Sequence, residues 1–431
     1  MRQLLKALAP AVIDRSQRGL FHRGMPVQKG EEYVMTTIED PVVIAGMART
    51  PIGAFQGTLA PLAAAQLGSV AIAAAVQRAG VGPDDVSEVH MGCVLPAGQG
   101  QAPARQAAIA AGLPYSVPCT TVNKMCGSGM KTVMMAYDAL HVRPADVIVA
   151  GGMESMTNAP YLLPKMRAGA RLGHTEVKDH MLLDGLEDAY DKGRLMGTFA
   201  EDTAQAYQFT REAQDGFAAE SLKRARQANE DGSFAGEIVA VAVKGRAGTQ
   251  EVARDEQPFT ADPARIGRLK PAFREGGTVT AANSSSISDG AAALVLMRQS
   301  EARRRKLEPL ARIVGTAGVA QEPAWFTTAP VFAIRKLLEE VGWSAKSAGI
   351  YEINEAFAVV AMAAMHDLEL PHEKVNVHGG ACALGHPIGA SGARIIVTLL
   401  SAMEKYGERR GVASLCIGGG EATAVAVERL P

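Results

Sequence analysis

The chain has 431 residues, 47% of them apolar and 21% charged, with 44 basic against 45 acidic side chains. That length exceeds the roughly 250–300 residues at which a single core stops growing, so two or three packed units are expected, and the average composition excludes a disordered or fibrous chain. Near-neutral charge excludes the broad basic footprint of a nucleic-acid or acidic-membrane binder, so an anionic ligand has to be met by a local site. Cys93, Cys119, Cys126, Cys382 and Cys416 include no CxxC pair, which argues against a disulfide framework or a zinc site and for a reducing compartment. No apolar run reaches the roughly 18 residues of a membrane span and no secretory cleavage pattern opens the chain, so a soluble cytoplasmic protein is expected.

Residues 1–40 form an N-terminal extension; its first 30 residues carry Arg and Lys on a weakly amphipathic pattern with one acid, Asp14. They read either as a transit-like segment or as an extension ahead of Met35. From Pro41, β-branched runs predict strands over 41–48, 88–95 and 146–153, and alanine-rich periodicity predicts helices over 62–80 and 129–141. The pattern recurs as a helix over 331–343, a strand over 349–354, a helix over 392–407 and a strand from 411 into a glycine cluster. Ser128-Gly129-Met130-Lys131 opens one helix and Ser391-Gly392-Ala393-Arg394 opens its counterpart. A duplicated α/β domain follows, with one half at 41–157 completed by 287–309 and the other at 310–431. Residues 158–286, richer in charge and loop signals, read as an insertion over the active-site face.

Cys126 stands in VNKMCGSGM, after an extended segment and directly before a predicted helix. The positive end of that helix would favour the thiolate, below the ordinary thiol pKa near 8.5. A lone free cysteine is more often a small buried hydrophobe, so the nucleophile reading leans on the second half. There GGACALGHPIGASGAR sets His386 in a glycine-rich loop before a helix, where an imidazole can take the thiol proton. EINEAF ends a predicted strand at Asn354 and Glu355, where an amide can hold a water or an oxyanion, and SLCIGGGEA puts Cys416 before three glycines with free N–H groups. His378, on the same loop as His386, stays open; the remaining histidines read as core or surface residues.

With CGSGM, NEAF, GHPIGASGAR and CIGGG in order, and GGMESM, GTVTAANSS and SDGAAALVLM between them, the chain from Pro41 to Leu430 resembles the thiolase family, specifically the acetyl-CoA acetyltransferases. The resemblance implies a five-layered αβαβα core of two similar halves with an inserted loop domain. Coenzyme A thioesters (acetyl-CoA and acetoacetyl-CoA) with free CoA are the implied substrates, no cofactor is permanently bound, and a homotetramer is built from dimers through the hairpin region 161–180. It implies that Cys126 carries the acyl group after His386 takes its proton, and that Cys416 moves the α-proton. His386 with a water on Asn354 would hold one oxyanion, the N–H groups of Cys126 and Gly418 the other. Ser285, Met196, Ala272, Phe273, Ala281, Ala356 and Phe357 would line the pantetheine tunnel, and Trp325 and Phe326 would close a short acyl pocket. Leu195, Pro258 and Ser286 depart from the family pattern and put the nucleotide contacts in doubt; Arg265 and Arg268 are candidates for the 3′-phosphate. Phe217 stands where a potassium-binding subgroup has tyrosine, so no metal is expected. A 3-ketoacyl-CoA thiolase of broader chain length is the competing reading.

Overall fold

The computed structural model describes residues 40–144, 146–245 and 248–430; the extension whose first 30 residues were read as transit-like lies outside them up to residue 39. In chain order the elements are β1 (Val42–Arg49), α1 (Ala64–Arg78), β2 (Glu88–Gly92), α2 (Pro103–Ala110), β3 (Cys119–Val122), α3 (Ser128–Val142) and β4 (Ile148–Ser155). After α4 (Met196–Tyr207) and α5 (Arg211–Glu230) come β5 (Ser288–Arg298), β6 (Ala311–Ala320), α6 (Ala329–Glu340) and β7 (Ile350–Ile353). The chain closes with α7 (Ala358–Leu368), α8 (Ser391–Lys405), β8 (Arg410–Ile417) and β9 (Glu421–Arg429).

The strands run in the order β7-β8-β9-β6-β1-β5-β4-β2-β3. On one side of the seam β3, β2 and β4 are parallel while β5 and β1 add antiparallel; on the other β7 and β8 are parallel while β9 and β6 add antiparallel. The two sets meet only where Val43 pairs Arg312 and Ile44 pairs Ala311. A parallel bridge from Tyr351 to Val375 occupies the place that β3 holds in the first set. The repeat extends to defects: β1 bulges between Ile44 and Gly46, and β6 between Ile313 and Gly315. At both, a β-carbon on the glycine would strike the end of the covering helix, at Ala75 and Ala79 in one half and at Val341 in the other.

Three apolar clusters separate the five layers. Val43, Leu67, Ile72 and Met153 bind α1 and α2 to one outer face, and Ile334, Leu337, Tyr351 and Val412 bind α6 and α7 to the other. Between the sheets, Met130, Val133, Ile395, Ile396 and Leu399 of α3 and α8 pack against Ile44, Ile148, Leu294 and Leu415. Burial on both faces explains why β1 and β4 read as unbroken apolar runs. It also explains why α8 has no polar stripe over Ser391–Met403, all of them buried. The predicted elements all appear, although the strand expected over 88–95 stops at Gly92. The periodicity did not single out α2, α7, β5, β6 or β9. The chain leaves the first sheet at Ser155 and re-enters it at Ser288; in between, Tyr161–Leu162 pairs with Lys178–Asp179 as a hairpin. No helix among the described residues is long and apolar enough to cross a membrane.

Arg49, at the end of β1, clamps the intervening segment. Its guanidinium donates to Glu237 and, at 2.7 and 3.0 Å, to both oxygens of Asp255, and all three side chains are fully buried. The ring of Phe234 lies 4.6 Å from the guanidinium carbon. Removing the cation that both dry carboxylates bond is expected to cost about 3–5 kcal/mol. Arg49→Met should therefore lower the free energy of the first unfolding transition, measured by denaturant titration, by that much, and a change below about 1 kcal/mol would show that the clamp does not hold the segment.

Candidate active site

The turn from β3 into α3 is tight and strained. Met125 has φ +46, a left-handed conformation that a side chain of this size disfavours. Hydrogen bonds hold it there: Met125 N–H donates to Asn123 Oδ1 at 2.9 Å, Lys124 N–H to Ser128 Oγ at 2.9 Å, and the Ser128 hydroxyl to Met125 O at 2.6 Å. Cys126 sits at the tip, partly exposed, just ahead of α3. The backbone N–H groups of Gly418 and of Cys126 itself lie near its sulfur and favour the thiolate. Burial nevertheless pushes the thiol up to about 11, with the Glu154 carboxylate adding to the rise and the two N–H groups opposing it. This corrects the expectation of a lowered pKa, because desolvation outweighs the helix end. At neutral pH the group is a thiol and requires a base.

His386 presents a buried ring nitrogen with no protein partner among the described residues. Its ring is 6% exposed, and Nδ1 lies 2.5 Å from Ser391 Oγ. With the Ser391 proton assigned to Pro387 O at 3.0 Å, Nδ1–H is the donor in the first contact and Nε2 carries the free lone pair. Nε2 is buried with no hydrogen-bond partner among the described residues. Burial, reinforced by the positive Arg394, pushes the imidazole down to about 3, so it rests neutral. Ile388, two residues on, packs in the same apolar cluster as Cys126.

Cys416 is fully buried near the end of β8, where burial and then the Cys126 charge push its thiol well above the ordinary range. It shares a cluster with Phe326, Phe357 and Val360. Asn354 follows β7, its N–H bonded to Ser414 O at 3.0 Å. Its Oδ1 accepts from Arg394 at 3.2 Å while Nδ2 is buried and unpartnered. Two thiols, an acceptor-ready imidazole and a donor-ready amide thus come from the loop ends that the sequence singled out.

The residues expected to line the tunnel range from exposed to buried. Ala272 and Ala281 are exposed, Phe273, Ser285 and Met196 partly so, and Ala356 and Phe357 buried. Ser285 N–H donates to Ala356 O at 2.9 Å, the Phe273 and Phe357 rings meet edge-on at 5.9 Å, and the Met196 sulfur lies against Gly418. A recess of about 370 Å³ opens at residues 270–276, beside Ala272 and Phe273. Trp325 and Phe326 part company: Phe326 is buried beside Cys416 and edge-on to Phe199, whereas Trp325 is partly exposed and outside that cluster. Arg265 and Arg268 are exposed. His378 lies away from the site, edge-on to Phe234 of the Arg49 clamp. Phe217 stacks on His372, and among the described residues no three His, Cys, Asp or Glu side chains gather as metal ligands.

Sequence reasoning missed the buried carboxylate Glu154 and named Glu355 without giving it a structural role. Glu154, in GGMESM, accepts N–H bonds from Val94, Leu95 and Gly389, strapping the loop after β2 to the His386 loop. Glu355, in NEAF, accepts from Ser221, Asn376 and the Cys382 N–H, tying α5 to the GGACAL run. An acid inside an apolar motif was the available signal, since such a group is buried only when it is well bonded.

Residues 42–300 match the model of the thiolase N-terminal domain and residues 307–429 that of the thiolase C-terminal domain. The chain is 52% identical over 393 residues to acetyl-CoA acetyltransferase 2 of Arabidopsis thaliana, covering 90% of this chain and 97% of that one. It is 47% identical over 398 residues to the cytosolic acetyl-CoA acetyltransferase of Mus musculus, covering 92% and 100%. The Acat5 thiolase of Ascaris suum, whose crystal structure is in complex with coenzyme A, matches with a TM-score of 0.86 at 41% identity, over 90% of this chain and all of that one. A single chain that carries both thiolase domains, on this fold and at this identity, belongs to the thiolase family.

Proposed function

We propose that the chain moves acetyl groups between coenzyme A and Cys126, condensing two acetyl-CoA reversibly to acetoacetyl-CoA and free CoA. The observation that carries the reading is that the two thiol loops meet: a β-carbon on Gly127, next to Cys126, would strike the side chain of Ile417, next to the buried Cys416. In the thiolysis direction His386 Nε2 takes the Cys126 proton and the sulfur attacks the ketone carbon of acetoacetyl-CoA. The carbon–carbon bond breaks, the Cys416 thiol gives its proton to the departing α-carbon, and acetyl-CoA leaves. The CoA thiol then attacks the acetyl group on Cys126 and yields its proton to the Cys416 thiolate, while protonated His386 restores the Cys126 thiol. The N–H groups of Cys126 and Gly418 receive the oxyanion at the carbon under attack; His386 and a water on Asn354 Nδ2 receive the one on the thioester being enolised.

Ser285, Met196, Ala272, Phe273, Ala281, Ala356 and Phe357 guide the pantetheine arm, with no permanently bound cofactor, resident metal, nucleic acid or membrane required. Catalysis is shared between the halves 41–157 with 287–309 and 310–431, with 158–286 as the inserted loop domain. Free thiols at all five cysteines support a cytoplasmic setting. Exposed Tyr161, Leu163, Leu172 and Val177 on and around the 161–179 hairpin support a homotetramer assembled from dimers.

Phe326 packed beside Cys416 supports short acyl chains over the broader 3-ketoacyl-CoA reading. Extra methylenes against packed side chains cost roughly 1–3 kcal/mol, so kcat/KM for acetoacetyl-CoA should exceed that for 3-ketodecanoyl-CoA by about 5- to 150-fold. Phe326→Ala should narrow the ratio; equal values in the parent would assign the broader-chain activity, and no thiolysis of any substrate would remove the enzyme reading.

The thiol held near 11 gives a second test. A raised pKa leaves little thiolate at pH 7, so iodoacetamide labelling of Cys126 should climb about tenfold per pH unit from 7 to 9. A plateau by pH 8 would show a lowered pKa instead.

A further inference from the structure

The polarity of the Asn354 amide is decided by a residue that touches no substrate. Arg394 lies in the first turn of α8, one helical turn after Ser391. Its guanidinium has donors only, so the Asn354 atom 3.2 Å away must be the oxygen. With Oδ1 engaged, Nδ2 and its hydrogens turn to the opposite side, buried and without a protein partner. Ser391 does the same for His386, fixing the tautomer that leaves Nε2 free. One edge of one helix therefore sets the chemistry of both groups.

The guanidinium is itself sparsely held. Its Nη1 stands 3.6 Å from Glu352, at the end of an ion pair in which both side chains are at most 2% exposed. Nε and Nη1 make no hydrogen bond, and neither does Glu352 Oε1. A buried charge with a single short contact is a poor stabilising device, which argues that the contact to Asn354 is what the arrangement serves.

We propose that Arg394 is the positioning residue of the enolisation site: it locks the Asn354 amide with its N–H donors toward the substrate thioester. The inference rests on the assignment of Asn354 to that oxyanion and adds the residue that orients it. Flipping the amide would aim Oδ1 at a developing negative charge and remove the donor. Such a loss concerns enolisation of the thioester and leaves the Cys126 N–H and Gly418 N–H groups as they are.

The test separates the two half-reactions. Acetylation of the enzyme by acetyl-CoA is followed by intact mass, and enolisation by exchange of the acetyl-CoA methyl hydrogens with deuterated water. Arg394→Met is combined with Glu352→Gln so that no lone carboxylate stays buried, and Arg394→Lys, which keeps a donor, serves as rescue and as the comparison if the double variant does not fold. Exchange is expected to fall about 10- to 100-fold in the Met variant, the scale of a misplaced catalytic group. Acetylation should fall by no more than about threefold and the Lys variant should recover part of the exchange. On an Asn354→Ala background the same change should have no further effect on exchange, because the two residues act as one unit.

Equal losses in both half-reactions, or additive losses on the Asn354→Ala background, would overturn the positioning role. If Asn354→Ala lowers exchange while neither Arg394 variant does, the positioning inference alone fails. If Asn354→Ala leaves exchange intact, the assignment of the oxyanion site fails and the inference goes with it.

Discussion

Everything in this site depends on how closely two buried helices approach. At the starts of α3 and α8 the backbones touch: a β-carbon at Gly129 would lie 2.8 Å from the Ala393 nitrogen, and one at Gly392 would collide with the Met130 backbone. Gly152 on β4 would likewise strike Gly389 O. Glycine is required at these contacts because any side chain would force the layers apart. The approach sets the Cys126 turn beside the His386 loop, and the strand after each helix brings its own loop end to the same place. Duplication of the fold has a chemical consequence: one half presents the partly exposed thiol, the other the imidazole, the second thiol and the amide.

Dryness is the second condition. In water Cys126 and His386 would rest near their ordinary pKa values, but here burial drives the thiol up to about 11 and the imidazole down to about 3. Both groups are neutral at rest, so charge forms only as the reaction forms it. Among the buried atoms lacking partners are His386 Nε2 and Asn354 Nδ2. Unsatisfied buried polar atoms are costly in folded proteins, and in the proposed mechanism these two meet the developing charge as preorganised groups. Glu154 and Glu355 act at one remove, each fixing a loop through several backbone or side-chain donors.

Much of this was legible in the chain. The strands ahead of the glycine clusters announce themselves because both faces are buried and their apolar runs are unbroken, and the helices over 129–141 and 392–407 through their long apolar stretches. The repeated Ser-Gly opening exposes the duplication. Residues 287–309 were assigned to the first half, but β5 was not read as a strand because its sheet partners lie on the far side of the segment between Ser155 and Ser288, a pairing no local pattern encodes. The direction of the Cys126 shift was misread for a related reason: a helix start is visible in sequence, whereas burial among packed neighbours such as Ile388 is not. Ser391 and Arg394 were seen as a helix opening; their partners, thirty or more residues away for Asn354, emerge only in three dimensions. Of the two aromatics expected at the acyl pocket, packing placed one beside Cys416 and left the other near the surface.

The account stands on a division of labour between two thiols, Cys126 carrying the acyl group and Cys416 moving the proton. The most direct measurement is peptide mass mapping of the Cys416→Ser protein after incubation with acetyl-CoA and acid quench. The account predicts one acetyl group, on Cys126, formed in a protein that no longer cleaves acetoacetyl-CoA at more than about a thousandth of the parent rate, the scale on which removing a catalytic acid or base is felt. An acetyl group on Cys93, Cys119 or Cys382, or turnover at the parent rate, would contradict it.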